Sequence, residues 1–337
     1  MTTPAPLLAA ASSATESALD VSAAMWAAIA GLVILMLAAD LVLFARGHAR
    51  PPMRLAIAWS VAWLALAVVF GAGLWAWHGS QAGEEYFAGY LLERSLSLDN
   101  IFVFAVIFGY FAVPSAIQPG VLASGIALAL VLRLIFILAG AALLATLHIT
   151  FYAFGLLLLF SAYRLFRHEE TKVDPEHNPA LRLIRARVPM KAHYDGERLF
   201  VREAGRRFAT PLLAVLVVIA TTDLLFAIDS IPAIFAVTTE PFIVFAANAF
   251  ALLGMRALYF VLAGLVDRFA YLSRGLAAIL GVIGVKMLAI DLYHPPIWLS
   301  LAAIVAILTV AIGASIWAAS RREGRARQLE GNVVWHT

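Results

Sequence analysis

Cysteine is absent from all 337 residues, which excludes disulfide staples and thiolate metal ligands together. Charge is scarce too: Asp, Glu, Lys and Arg make up 13% of the chain, whereas 63% is apolar. A soluble domain of this size needs more polar surface than that, so the composition indicates a polytopic membrane protein. The sequence also lacks a Gly-rich phosphate loop, a zinc-protease motif and a nucleophile elbow, which disfavours an enzyme. No basic run precedes Asp20, so the start of the chain reads as a short polar tail rather than a cleaved signal peptide. The histidines (His48, His78, His148, His168, His177, His193, His294 and His336) all fall in loops, tails or span ends. A zinc or copper site within the membrane would recruit imidazole or thiolate, and neither is available there.

What is present is a series of long apolar runs. Stretches able to cross a bilayer lie at roughly 23–45, 54–77, 85–112, 119–146, 150–166, 209–237, 241–266, 273–290 and 296–319. The fold class is therefore all-α, with about nine transmembrane helices. Basic residues test this count. Arg46, Arg50 and Arg54, the Lys and Arg residues of 164–207, Arg268 and Arg274, and Arg321, Arg322, Arg325 and Arg327 all fall on one side of a nine-helix chain. The positive-inside rule puts that side in the cytoplasm, with the N-terminus outside and the C-terminus inside. This placement accounts for the basic excess without nucleic acid. Nothing in the sequence sets an oligomeric state.

Four basic residues remain inside the spans: Arg94, Arg133, Arg256 and Lys286. Five acids do too: Asp40, Glu93, Asp99, Asp223 and Asp229. Acids at membrane depth are expensive and mark function by default. Four of the five form a repeat. E-R-S-L-S-L-D-N (Glu93 to Asn100) matches D-L-L-F-A-I-D-S (Asp223 to Ser230), with the acids six apart in each. The following helices align Arg133 with Arg256, and glycine-centred helices come next, around Gly155 and Gly281. Three helices per unit reverse the second copy, as in the inverted-topology repeats of secondary transporters. The chain then divides into a tail with two peripheral helices (1–82), repeat one (83–167), a basic cytoplasmic loop (168–207), repeat two (208–291), and a last helix with a cytoplasmic tail (292–337).

Six residues along a regular helix is about 9 Å and about 120° around the axis. Neither acid pair can chelate one ion from an unbroken helix. Either the helices unwind locally, helped by Ser95, Ser97 or Pro232, or the acids stack along a path. Apposed motifs would offer Glu93, Asp99, Asp223 and Asp229 with Asn100, Ser230, Thr221 and Thr222, an all-oxygen set suited to Mg²⁺, Ca²⁺ or Mn²⁺. Metal and protons would compete for these oxygens, since ligands must be deprotonated. Arg133, Arg256, Lys286 and Arg94 would compensate charge or couple to protons. Asp40, near the inner end of its helix, reads as a cap or a snorkelling contact. The loop stretch Leu181 to Arg187 reads as a basic amphipathic piece on anionic headgroups.

The stretches Ser95–Phe104, Asp223–Ala233 and P-F-I-V-F-A-A-N-A-F-A-L-L-G-M-R-A-L-Y-F (Pro241–Phe260) resemble the TerC/Alx family of integral membrane proteins. The resemblance covers most of the chain from about 30 to 290. It implies a bacterial inner-membrane protein linked to manganese export and, in some members, tellurium resistance. It also implies that Glu93, Asp99, Asp223 and Asp229 carry metal and protons. One departure is Ala220, where the family pattern often has a glutamate, and this removes a carboxylate from the ligand set. The expected function is a Mn²⁺ exporter exchanging the ion for protons, with Ca²⁺ or another divalent as alternative cargo and no organic cofactor. The expected partners are the lipid bilayer, the cation and protons. The other function class is a non-transporting membrane scaffold in metal, tellurite or envelope stress.

Overall fold

The structure, a computed structural model, describes residues 21–45, 52–167, 178–203, 205–262, 271–293 and 295–333. The polar tail, Arg46, Arg50, Lys172 and Arg268 fall outside these residues. Ten helices and one small hairpin make up the rest. Helix α1 spans Ala23–Ala45, α2 Met53–Tyr110, α3 Gln118–Thr146 and α4 Ile149–Arg167. The connection to the second half holds α5, Pro179–Arg187, and strands β1, Phe200–Glu203, and β2, Arg206–Ala209. Then come α6, Pro211–Phe235, α7, Pro241–Leu253, α8, Met255–Leu262, α9, Leu272–Leu288, and α10, Ile297–Val333. The chain is a polytopic all-α membrane protein. Among the described residues, six helices are long and apolar enough to cross a bilayer, or seven if α7 and α8 form one bent span.

Proline and glycine set the punctuation. Pro119, Pro211 and Pro241 open α3, α6 and α7, where a missing N–H is harmless. At 58 residues, α2 would be about 87 Å long if straight, far more than a bilayer needs. It folds at Gly79, whose φ of 89° and ψ of 174° suit a residue without Cβ. The two arms lie back on one another. Tyr86 donates its hydroxyl to the carbonyl of Ala67 at 3.1 Å, and Gly71 and Gly83 sit against Tyr86 and Trp75.

Both acid-bearing segments are helical throughout, so neither motif is locally unwound. Pro232 lies in the last turns of α6 without interrupting it. The broken element is elsewhere: α7 and α8 meet at Gly254 with a bend of 41°. The expected single span at 241–266 is therefore two pieces. The hairpin was not foreseen either, because its four-residue strands, Phe200 to Glu203 paired with Ala209 to Arg206, carry no apolar alternation long enough to read.

Packing divides the helices into two bodies. Buried residues of α1, α2, α3, α6, α7 and α8 form the larger core, with Phe70, Tyr86 and Phe250 clustered at its centre. Trp26 ties α1 to it against Phe242 and Phe245. A second core holds Leu158 of α4, Ile279 and Ile283 of α9 and Ile304 of α10, against Leu92 of α2 and Ala233 of α6. Its heart is a glycine pair. A Cβ on Gly155 would lie 3.1 Å from the carbonyl oxygen of Gly284, and one on Gly284 would lie 3.0 Å from that of Gly155. The helices thus approach backbone to backbone, as small residues permit in lipid. Gly284, not Gly281, is the partner; Gly281 faces Ala162 more loosely, at 3.9 Å.

This contact makes a direct prediction. Gly155→Leu should destabilise the protein by about 1–3 kcal/mol through overpacking against backbone that cannot yield. Gly31→Leu, where nothing lies within 4 Å, should stay within about 0.5 kcal/mol of wild type. Thermal unfolding of the two variants in one detergent compares them, and equal midpoints would refute the tight α4–α9 contact.

Candidate functional site

Arg133 of α3 is the centre of the buried polar structure. Its Nη1 pairs with Oε1 of Glu93 on α2, and donates to Asn248 Oδ1 on α7 at 2.8 Å and to Ser230 Oγ on α6 at 3.3 Å. Its Nη2 and Nε donate to the two oxygens of Asp223 on α6, at 3.0 and 3.3 Å. That forked, two-point grip is what a planar guanidinium offers a carboxylate. Asn248 returns a hydrogen bond from Nδ2 to Glu93 Oε2 at 3.2 Å, and Ser97 donates to Glu93 Oε1 at 3.2 Å. Glu93, Asp223 and Arg133 are each at most 1% exposed. A charge in such a place must be paired and hydrogen-bonded, and here it is. Two carboxylates share one guanidinium, so the node carries one negative charge in excess when both are ionised.

The other two motif acids go elsewhere. A continuous helix turns residues six apart to different faces, so Asp99 and Asp229 point away from the node. Asp99 of α2 accepts from Ser273 Oγ of α9 at 3.5 Å. Asp229 of α6 accepts from Ser161 Oγ of α4 at 2.5 Å, and lies 3.4 Å from Arg164 Nη2. Its side chain is 16% exposed, and that of Arg164 is 58% exposed. Both acids therefore sit on the seam between the two bodies, each held by a serine of the smaller one. Among the described residues, no three Asp, Glu or His side chains converge as a metal cluster.

The remaining candidates have separate partners. Asn100 is buried on α2 beside Asp99, and Ser230 belongs to the Arg133 node. Thr222 is buried on α6, while Thr221 bonds the carbonyl of Val217 and receives Nδ2 of Asn178 at 2.7 Å. Arg94 donates to the carbonyl of Ala251 at 2.8 Å, supplying positive charge at the end of α7 where the span breaks. Arg256 pairs with Asp40 at 2.8 Å, and reaches the carbonyl oxygens of Asp40 and Pro119. Asp40 is therefore not the snorkelling contact its position suggests. It is buried and fastens α1 to α8. Lys286 donates to Ser300 of α10 at 3.0 Å.

Four side chains of these contacts, Asn248, Glu85, Ser161 and Ser273, have little or no signature in the sequence. Asn248 is a lone amide in an apolar run, A-A-N-A-F, and that isolation was a usable signal. Glu85 sits near a span end, where an acid is ordinary. It is buried, accepting from Thr238 Oγ1 at 2.5 Å and Gln81 Nε2 at 3.0 Å, and Thr238 also receives the backbone N–H of Glu240 at 3.2 Å. Burial, with the Glu85 carboxylate nearby, raises the pKa of Glu240 above the usual glutamate value. Ser161 and Ser273 carry no signal at all in sequence.

The node predicts a non-additive result. Arg133→Met alone should cost about 3–5 kcal/mol by stranding two buried carboxylates. Adding Glu93→Gln and Asp223→Asn should restore most of that loss. Chemical or thermal unfolding in detergent measures both, and additive losses would show that the three charges are not one unit.

Comparison with known proteins gives the chain its relatives. Residues 78–323 match the integral membrane protein TerC family. An uncharacterized membrane protein of Myxococcus xanthus, STKORF319, is 46% identical over 295 residues, covering 88% of this chain and 92% of that protein. A Salmonella typhi protein provisionally named membrane-bound redox modulator Alx is 41% identical over 312 residues, covering 90% and 97%. The Escherichia coli K12 protein of the same name is 41% identical over 308 residues, covering 89% and 96%. No solved structure matches the chain.

Proposed function

We propose, from the premise that this chain belongs to the TerC family of integral membrane proteins, that it exports a divalent metal ion, Mn²⁺, in exchange for protons. The observation that carries this reading is the seam. Asp99 and Asp229 occupy matching places in the two motifs, and each bridges from the larger body to a serine of the smaller one. Carboxylates at such a boundary change their surroundings when one body moves against the other, which alternating access requires. In this reading Asp99 and Asp229 carry cation and proton, with Ser273 and Ser161 as added oxygen donors. Glu93, Asp223 and Arg133 form the fixed node around which the larger body is built, and its excess negative charge favours a cation or proton nearby.

The topology of the proposal is nine spans: the two arms of α2 and the 17-residue α9 each count as one crossing. The two acid-bearing motifs then begin inverted repeats, and three observations support that pairing. Both segments are unbroken helices, α4 and α9 meet at a reciprocal glycine contact, and the packing of α3 on α6 is mirrored by that of α7 on α2. The membrane is the bacterial inner membrane, with the N-terminus outside and the basic connection in the cytoplasm. Exporting a dication against about 100 mV costs about 4.6 kcal/mol, and exchange for two protons cancels that electrical term.

A second reading comes from the name borne by the Salmonella and Escherichia relatives. A modulator need not move an ion, and a membrane scaffold would use the charges to hold helices and partners. The measurement that separates the two is coupled flux in proteoliposomes with imposed Mn²⁺ and pH gradients. Wild type should move Mn²⁺ and protons in opposite directions. Asp99→Asn and Asp229→Asn should lower flux at least tenfold while melting like wild type. Unchanged flux in both variants would sink the carboxylate mechanism, and no flux in wild type would favour the scaffold. Ca²⁺ competing as well as Mn²⁺ would reassign the cargo.

A further inference from the structure

We propose that α5 and the β1–β2 hairpin, between α4 and α6, form a binding site for anionic phospholipid headgroups. The position of α5 comes first. Its N-cap Asn178 accepts from Leu181 N at 3.0 Å and donates to Thr221 on α6 at 2.7 Å. Beyond its other end, Pro189 accepts from the backbone N–H of Ala209 at 2.9 Å, just before α6 begins. Leu181 is fully buried in the larger core. Nine residues of α5, about 13 Å, therefore run antiparallel beside the first eleven of α6, about 16 Å. Tyr194 fixes the next stretch by donating to the carbonyl of Phe111 at 2.9 Å.

This anchoring leaves one face outward. Arg182 and Arg185 share that face of α5, and Leu183 and Arg187 are exposed on its flank. Guanidinium groups beside the first turns of a membrane-spanning helix cannot face acyl chains and meet phosphates at the bilayer surface instead. The hairpin makes the same demand independently. Arg202 and Arg207 stand directly opposite in the register, with exposed Arg206 beside them. Like charges so placed repel unless an anion sits between them. Among the described residues, the acids of the segment do not supply it. Glu203 is 2.5 Å from Lys191, Asp195 is 3.8 Å from Arg198, and Glu197 lies against Gly120.

Free phosphate would satisfy the charges equally, but the exposed apolar groups favour a lipid. Leu183 and Phe200 project among the arginines, as apolar side chains do where a basic amphipathic segment enters the headgroup boundary. The site does not depend on the transport reading, because none of its residues touches the motif acids.

The test uses the full chain purified in detergent. Native mass spectrometry and thermal melting would compare added phosphatidylglycerol, phosphatidylcholine and inorganic phosphate. Wild type should retain phosphatidylglycerol in preference to phosphatidylcholine, and its melting midpoint should rise with the former. Arg182→Gln/Arg185→Gln/Arg187→Gln and Arg202→Gln/Arg207→Gln should each weaken retention by roughly fivefold per arginine removed. Both should melt like wild type in phosphatidylcholine, since the groups replaced are exposed. Retention unchanged in both variants overturns the proposal. So does a melting shift that inorganic phosphate reproduces at equal phosphate concentration.

Discussion

A guanidinium held at the centre of a membrane-spanning bundle can persist only if every face of it is answered. Arg133 meets that demand by drawing in Glu93 and Asp223 with Ser230 and Asn248, from three neighbouring helices. In lipid there is no hydrophobic drive to press helices together, so packing and interhelical polar contacts must do it. The node therefore orders α2, α3, α6 and α7 around one point. The Asp40–Arg256 pair repeats the device at the edge of the same body, where it fastens α1 to α8.

That arrangement leaves the smaller body, α4, α9 and α10, attached differently. It meets the rest through apolar contacts, through the serines on Asp99 and Asp229, and through the half-exposed Arg164 beside Asp229. A backbone-to-backbone glycine contact welds α4 to α9. One side of the seam is locked by charge, and the other is bound by packing. A rigid larger body and a separately welded pair of helices form two units whose boundary holds the less buried acids. The proposed transport cycle asks only that this boundary shift.

Much of the fold was legible beforehand because its signals are long. Apolar runs mark the helices, prolines mark where they begin, and the basic connection marks the polar segment between α4 and α6. The motif acids and Arg133 stood out as charges in apolar surroundings. Shorter-range features were less visible. A glycine that folds α2 back at Gly79 and a glycine that breaks the span at Gly254 look alike in sequence. Asp40 gave no sign of Arg256, more than two hundred residues away, and Ser161 and Ser273 are ordinary hydroxyls until a neighbouring helix aims a carboxylate at them.

The spacing of six residues between acids already implied that neither motif is a chelate, because a regular helix turns such residues to different faces. Sequence thereby determined that the acids of each motif part company wherever the helix stays regular, and the structure keeps both helices regular through the motifs. Which partner each one finds was decided by tertiary structure alone. Pairing depends on which helices lie side by side, and in apolar helices of similar composition that neighbourhood is set by glycine contacts and buried hydrogen bonds rather than by any local pattern. So Glu93 and Asp223 closed on Arg133, while Asp99 and Asp229 were left at the seam.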